Sequence, residues 1–177
     1  MDILDYQVEV NKSPTAKEEQ INLTYTVLGL CGATADICEK YSNYTRTNQI
    51  KIVDLGTRES LAVELGDILW YMSRIVEILE VDFSKDLEHP IFPSLTDPTL
   101  IAFNLQMRAG QIAKIVKKSI RKNGVRDDGK VIVLKPDEAM ILDKLSGMIT
   151  MLQVLSSSIT LSLREVAEMN LAKIGSK

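Results

Sequence analysis

Glu64-Leu65-Gly66-Asp67-Ile68-Leu69-Trp70-Tyr71 is the stretch that decides how this chain is read. Its apolar residues belong to a longer series, Leu61, Leu65, Ile68, Leu69, Met72, Ile75, Val76 and Leu79, recurring every three or four positions as in a helix with one buried face. The spacing predicts a helix from Arg58 to about Leu79, capped by Thr57. Glu64 and Asp67, three residues apart, share one side of it. Two carboxylates on the edge of a core-facing helix need a bound cation, a basic partner or solvent.

Upstream, residues 1–12 show no clear periodicity and read as a short arm. Thr15 and Glu18 stand in capping-box spacing just after Pro14, and a long helical region follows to about Tyr44. Its apolar residues, among them Ile21, Leu23, Val27, Leu28 and Leu30, run wide around the helix, as expected for burial on more than one side. Gly29 and Gly32 lie inside it; a helical glycine costs about 1 kcal/mol relative to alanine, so close approach of another helix or a ligand is the expected reason for them. Residues 42–56 are polar around the β-prone Ile50-Lys51-Ile52-Val53 and read as a loop with a scrap of strand. Leu87 to Pro98, interrupted by Pro90, Pro93 and Pro98, reads as a linker.

Beyond that linker the pattern begins again. Phe103 to Ile115 can be laid on Tyr25 to Ile37 at an offset of 78, which places Gly110 on Gly32 and Ala113 on Ala35. Val131-Ile132-Val133-Leu134 repeats the β-prone piece, and Lys144 to Ile149 overlies Glu64 to Leu69 at an offset of 80. An internal duplication follows, and with it an all-α fold: an antiparallel helical bundle of about four long helices, built from two pseudo-symmetric helical hairpins. Neither hairpin can bury its apolar stripe alone.

At 177 residues, 45% hydrophobic and 25% charged, the chain has enough apolar material for one compact core. No run of eighteen uncharged apolar residues occurs, and Met1-Asp2-Ile3-Leu4-Asp5 lacks the basic start of a signal peptide, so a cytoplasmic protein with no membrane partner is expected. The net charge of −3 divides unevenly: residues 1–90 hold 8 Lys/Arg against 16 Asp/Glu, residues 91–177 hold 13 against 8. Such a division suits charge complementarity inside the molecule, or a site that holds a cation on one side and an anion on the other; net acidity and the lack of a recognised motif weigh against nucleic acid. Cys31 and Cys38, seven apart, lack C-x-x-C spacing and read as two buried thiols. His89, in the linker, is weak evidence for catalysis.

The segment Gly29-Leu30-Cys31-Gly32-Ala33-Thr34-Ala35-Asp36-Ile37-Cys38-Glu39-Lys40, followed by Glu64 to Tyr71, resembles the MazG-like all-α nucleoside triphosphate pyrophosphohydrolases of the dimeric dUTPase/MazG superfamily. The ending Ser162 to Lys173, with Asn170-x-x-Lys173, is similar to that family's closing helix. The resemblance implies one MazG-like domain over residues 1–177, with a first repeat at about 15–88, a linker at 89–98 and a second repeat at about 99–177. It implies metal-dependent hydrolysis of a nucleoside triphosphate to the monophosphate and pyrophosphate, with Mg2+ or Mn2+ as cofactor and a homodimer as the assembly.

In that family the metal is held by Glu-x-x-Glu on one helix and Glu-x-x-Asp on the next. Glu64 and Asp67 match the second pair and are the implied catalytic residues and metal ligands. At the first pair Ala33 replaces the leading Glu and Asp36 shortens the other, with Glu39 one turn further on; Asp36 and Glu39 complete the candidate metal set. In the second repeat Gln111, Lys114, Lys144 and Gly147 overlie Ala33, Asp36, Glu64 and Asp67, so that copy has no carboxylate site. One composite site is expected, with Lys40, Lys114, Asn170 and Lys173 as substrate-binding residues. The stripe Lys114, Lys117, Lys118 and Arg121 reads equally as a solvated face, Asp36 with Lys40 as an ordinary helix ion pair, and Trp70 with Tyr71 as core. A degenerate relative that binds nucleotide without cleaving it, or a helical interaction module, is the competing expectation, favoured by Ala33 and the acid-free second copy.

Overall fold

The computed structural model describes residues 3–13, 22–47, 55–81 and 97–175. They form six helices: α1 (Ile3–Lys12), α2 (Leu23–Thr47), α3 (Leu55–Ile78), α4 (Pro98–Asn123), α5 (Lys135–Ser158) and α6 (Leu163–Gly175). The fold is an all-α bundle whose four long members are α2 to α5. The helix start near Thr15, the β-prone piece at 50–53, the linker from Leu87 to Pro98 and His89 lie outside the described residues, apart from Asp97 and Pro98.

Consecutive long helices pair as antiparallel hairpins. Late in α2, Lys40 reaches Ser60 and Glu64 near the start of α3, whereas Gly29, early in α2, lies against the Tyr71 ring in the second half of α3. A side chain at position 29 would collide with that ring, so this helical glycine marks a close approach of two helices. In the second hairpin Ser119 meets Asp137, and Arg108 lies over Gly147. The hairpins pack through α2 and α4, where Thr34 donates to Gln106, while α6 lies on α3. Buried residues of all six helices join in one apolar cluster, from Tyr6 and Val10 through Leu65, Leu105 and Leu145 to Val166 and Ile174.

Local chemistry sets the ends of the second hairpin. Asp97 caps α4 by accepting from the backbone N–H groups of Thr99 (2.8 Å) and Leu100 (3.2 Å), with Pro98 opening the helix. Gly124, at φ 81°, ends α4 in a backbone region open to glycine. The β-prone piece at 131–134 forms no strand: Val131 makes one isolated antiparallel bridge to Val125. With 24 residues, and an 18-residue stretch within them of mean hydropathy 1.2, α5 is the one helix among the described residues long and apolar enough to cross a membrane; half of that stretch is buried in the bundle.

Three expectations need correction. Within the expected arm at 1–12, the described residues Ile3–Lys12 form a helix, because Tyr6 and Val10, one turn apart and 0% exposed, anchor α1. Thr57 is no cap: α3 begins two residues earlier, at Leu55, and α2 runs to Thr47. Cys31 and Cys38 are half-buried rather than buried, and both are free; burial pushes both thiols up.

A capping box starts α6. The Ser162 hydroxyl accepts from the Glu165 N–H (3.2 Å), and the Glu165 carboxylate accepts from the Ser162 N–H (2.7 Å) and hydroxyl (2.8 Å). These bonds from Ser162, and more weakly the Arg58 charge, hold the Glu165 carboxyl below its ordinary value against a small opposing effect of desolvation. Its contribution to stability is therefore present above the ordinary glutamate range and is lost as pH falls through the lowered value. Ser162→Ala is expected to lower Tm by about 2–4 °C at neutral pH. Calorimetry across pH should show that difference narrowing as Glu165 takes up its proton.

Candidate functional site

The acid pair of α3 lies where α2 and α6 flank that helix. Glu64 and Asp67, one turn apart, keep 21% and 31% of their side chains exposed. Each is met by a lysine from a different helix. From α2, Lys40 donates to Glu64 (2.8 Å), and also to the Ser60 hydroxyl (2.8 Å) and carbonyl (3.2 Å). From α6, Lys173 contacts both Asp67 oxygens at 2.7 Å. Lys40 thus crosses to α3 instead of forming a pair with Asp36 on its own helix.

Behind the lysine sits a buried relay. Asn170, 3% exposed, donates to Asp67 (3.2 Å) and accepts on its other amide atom from the Tyr6 hydroxyl (2.7 Å). Burial, reinforced by the Asp67 charge, pushes the Tyr6 phenol far up, so it stays a proton donor. Gly66 makes this approach feasible: a Cβ there would sit 2.8 Å from the Asn170 Cβ. Trp70 is 7% exposed and meets Tyr71 edge-to-face at 4.9 Å between ring centroids, so Trp70 packs as core while Tyr71 stays partly open. Burial first, then Tyr25 and Asp67, raises the Tyr71 phenol.

The remaining sequence candidates stand apart. Asp36 and Glu39 are exposed on α2, and Ala33, 7% exposed, belongs to the core. Among the described residues no three His, Cys, Asp or Glu side chains form a group that could hold a metal ion. Glu64 and Asp67 alone provide two hard oxygen donors open to solvent. That fits magnesium arriving with a polyphosphate, since this ion typically takes one or two carboxylates, substrate oxygens and retained water; it does not fit a cage made wholly by protein. Lys114 is exposed on α4, and no hydrogen bond or ion pair joins it to the acid pair among the described residues. Tyr6 was invisible as a site residue in the sequence; its only signal is the one-turn spacing to Val10.

No protein family and no solved structure matches the chain. The chain is similar to the Gene 37 protein of Mycobacterium phage L5, 30% identical over 59 residues. The match covers 33% of this chain and 51% of that protein, about half its length.

Partly exposed ion pairs contribute about 0–1 kcal/mol each, so the lysines position charge more than they stabilise the fold. The buried amide is different. Tyr6→Phe removes the donor to Asn170 Oδ1 and is expected to cost about 1–3 kcal/mol in urea unfolding. Gly66→Ala, although alanine normally gains about 1 kcal/mol in a helix, is expected to destabilise, because α6 must retreat from α3. An unchanged midpoint in both variants would contradict the relay.

Proposed function

We propose that this protein is a MazG-like nucleoside triphosphate pyrophosphohydrolase, cytoplasmic and acting as a homodimer on a nucleotide rather than on nucleic acid. One observation carries the reading: two carboxylates one turn apart, each countered by a lysine from a different helix. Such a group can exchange partners. Glu64 and Asp67 would hold Mg2+ or Mn2+ accompanying the triphosphate, and Lys40, Lys173 and the Asn170 amide would turn to phosphate oxygens. When bound, the cation neutralises phosphate charge and supplies a more acidic water. Glu64, partly exposed, would orient the attacking water and take its proton as the water oxygen adds to the α-phosphorus and pyrophosphate departs.

A second reading has its own support. Ala33 in the core and the absence of a third acid beside the pair, among the described residues, favour a relative that binds nucleotide without cleaving it. Pyrophosphate release across a panel of nucleoside triphosphates, dUTP included, with magnesium or manganese, decides between them. Glu64→Gln and Asp67→Asn are each expected to lower turnover by about 100-fold or more. Unchanged turnover in both variants rejects the site. A magnesium-dependent rise in Tm with nucleotide, without pyrophosphate release, establishes the second reading.

A further inference from the structure

The second copy of the repeat has a corresponding place on α4 and α5, and its charges are reversed. Lys144 stands where the first copy has Glu64, Gly147 where it has Asp67, and Arg108 where it has the core residue Leu30. Gly147 has no side chain, and the space is filled by the Arg108 guanidinium: a Cβ at position 147 would lie 2.5 Å from Nη1 and 2.6 Å from Cζ. This half-buried cation has no hydrogen bond or ion pair among the described residues. Lys144, one turn before Gly147 and 28% exposed, pairs among the described residues only with the exposed Asp143 (2.6 Å), which leaves two of its three donors for a ligand. Gln111, one turn after Arg108 on α4, adds an exposed amide.

We propose that this second pseudo-site binds a compact phosphate group, as inorganic phosphate or the phosphate of a small molecule. The Arg108 guanidinium has no counter-ion among the described residues, and its planar fork matches phosphate oxygens two at a time. Lys144 adds a point charge within one turn. Duplication followed by loss of the acids has thus turned the place of a cation-holding group into an anion-holding one. Both the charge reversal and the glycine that admits Arg108 are independent of whether the first site hydrolyses nucleotides.

The test is calorimetric titration of the full chain with inorganic phosphate, at low salt, without divalent cation or nucleotide, so that hydrolysis plays no part in the readout. Wild type is expected to show a saturable site. Arg108→Gln and Gly147→Ala should each weaken it by about tenfold or more, a loss of about 1.4 kcal/mol. Gly147→Ala is the sharper variant, because it keeps every charge, favours the helix and displaces only the guanidinium. Lys173→Met, which alters the first site, should leave the titration unchanged. No saturable binding by wild type, or binding lost in Lys173→Met and kept in both Arg108→Gln and Gly147→Ala, overturns the proposal.

Discussion

Asp67 receives the Lys173 ammonium on both oxygens and the Asn170 amide on one, and this convergence fixes where α6 lies on α3. Everything local is arranged to allow it. Gly66 removes the side chain that would hold α6 away, Tyr6 satisfies the far side of the Asn170 amide, and Ser162 with Glu165 starts α6 in the right place. A carboxylate partly withdrawn from water needs counter-charge, and the fold supplies it as a side chain that can swing away. Under the proposed function, the lysine that balances this acid is also the one that would turn to the phosphate.

The two hairpins share a backbone plan and differ in charge. Both are antiparallel helix pairs, joined through α2 and α4. In the first, acids of α3 face lysines from its neighbours; in the second, the Arg108 guanidinium lies against Gly147. Core packing explains why the plan survives: Leu65, Ile68 and Leu69 have counterparts in Leu145, Met148 and Ile149, all buried. Positions on the rim carry no such constraint, and there the two hairpins differ.

Helix periodicity made α3 legible, because Leu61 to Val76 repeat apolar residues at helical spacing over many turns, and the helices of the second hairpin were legible through the internal repeat laid on the first half. Boundaries were less so. Thr57 has the chemistry of a cap but lies within α3, and α1 is too short for two buried anchors to establish a period. The pairing of Asp67 with Asn170 and Lys173 joins residues more than 100 positions apart, and only the motif resemblance linked them before the helices were in place. Lys40 shows the opposite failure: local spacing suggested Asp36, but the antiparallel neighbour brought Glu64 closer. The Arg108–Gly147 contact could not be read from spacing at all, since nothing in a lone glycine names the side chain that will fill its place.

The wide sequence separation of the Tyr6, Asp67, Asn170 and Lys173 group orders events during synthesis. Tyr6 and the α3 acids leave the ribosome long before α6 exists, so until then Asp67 lacks both its ammonium partner and the Asn170 amide. Only when α6 docks are the two arms of the relay joined across 164 residues of chain. Completion of the acid pair thus becomes a late checkpoint on the whole bundle: a polypeptide that stops short of α6 can carry the motif without ever possessing the site.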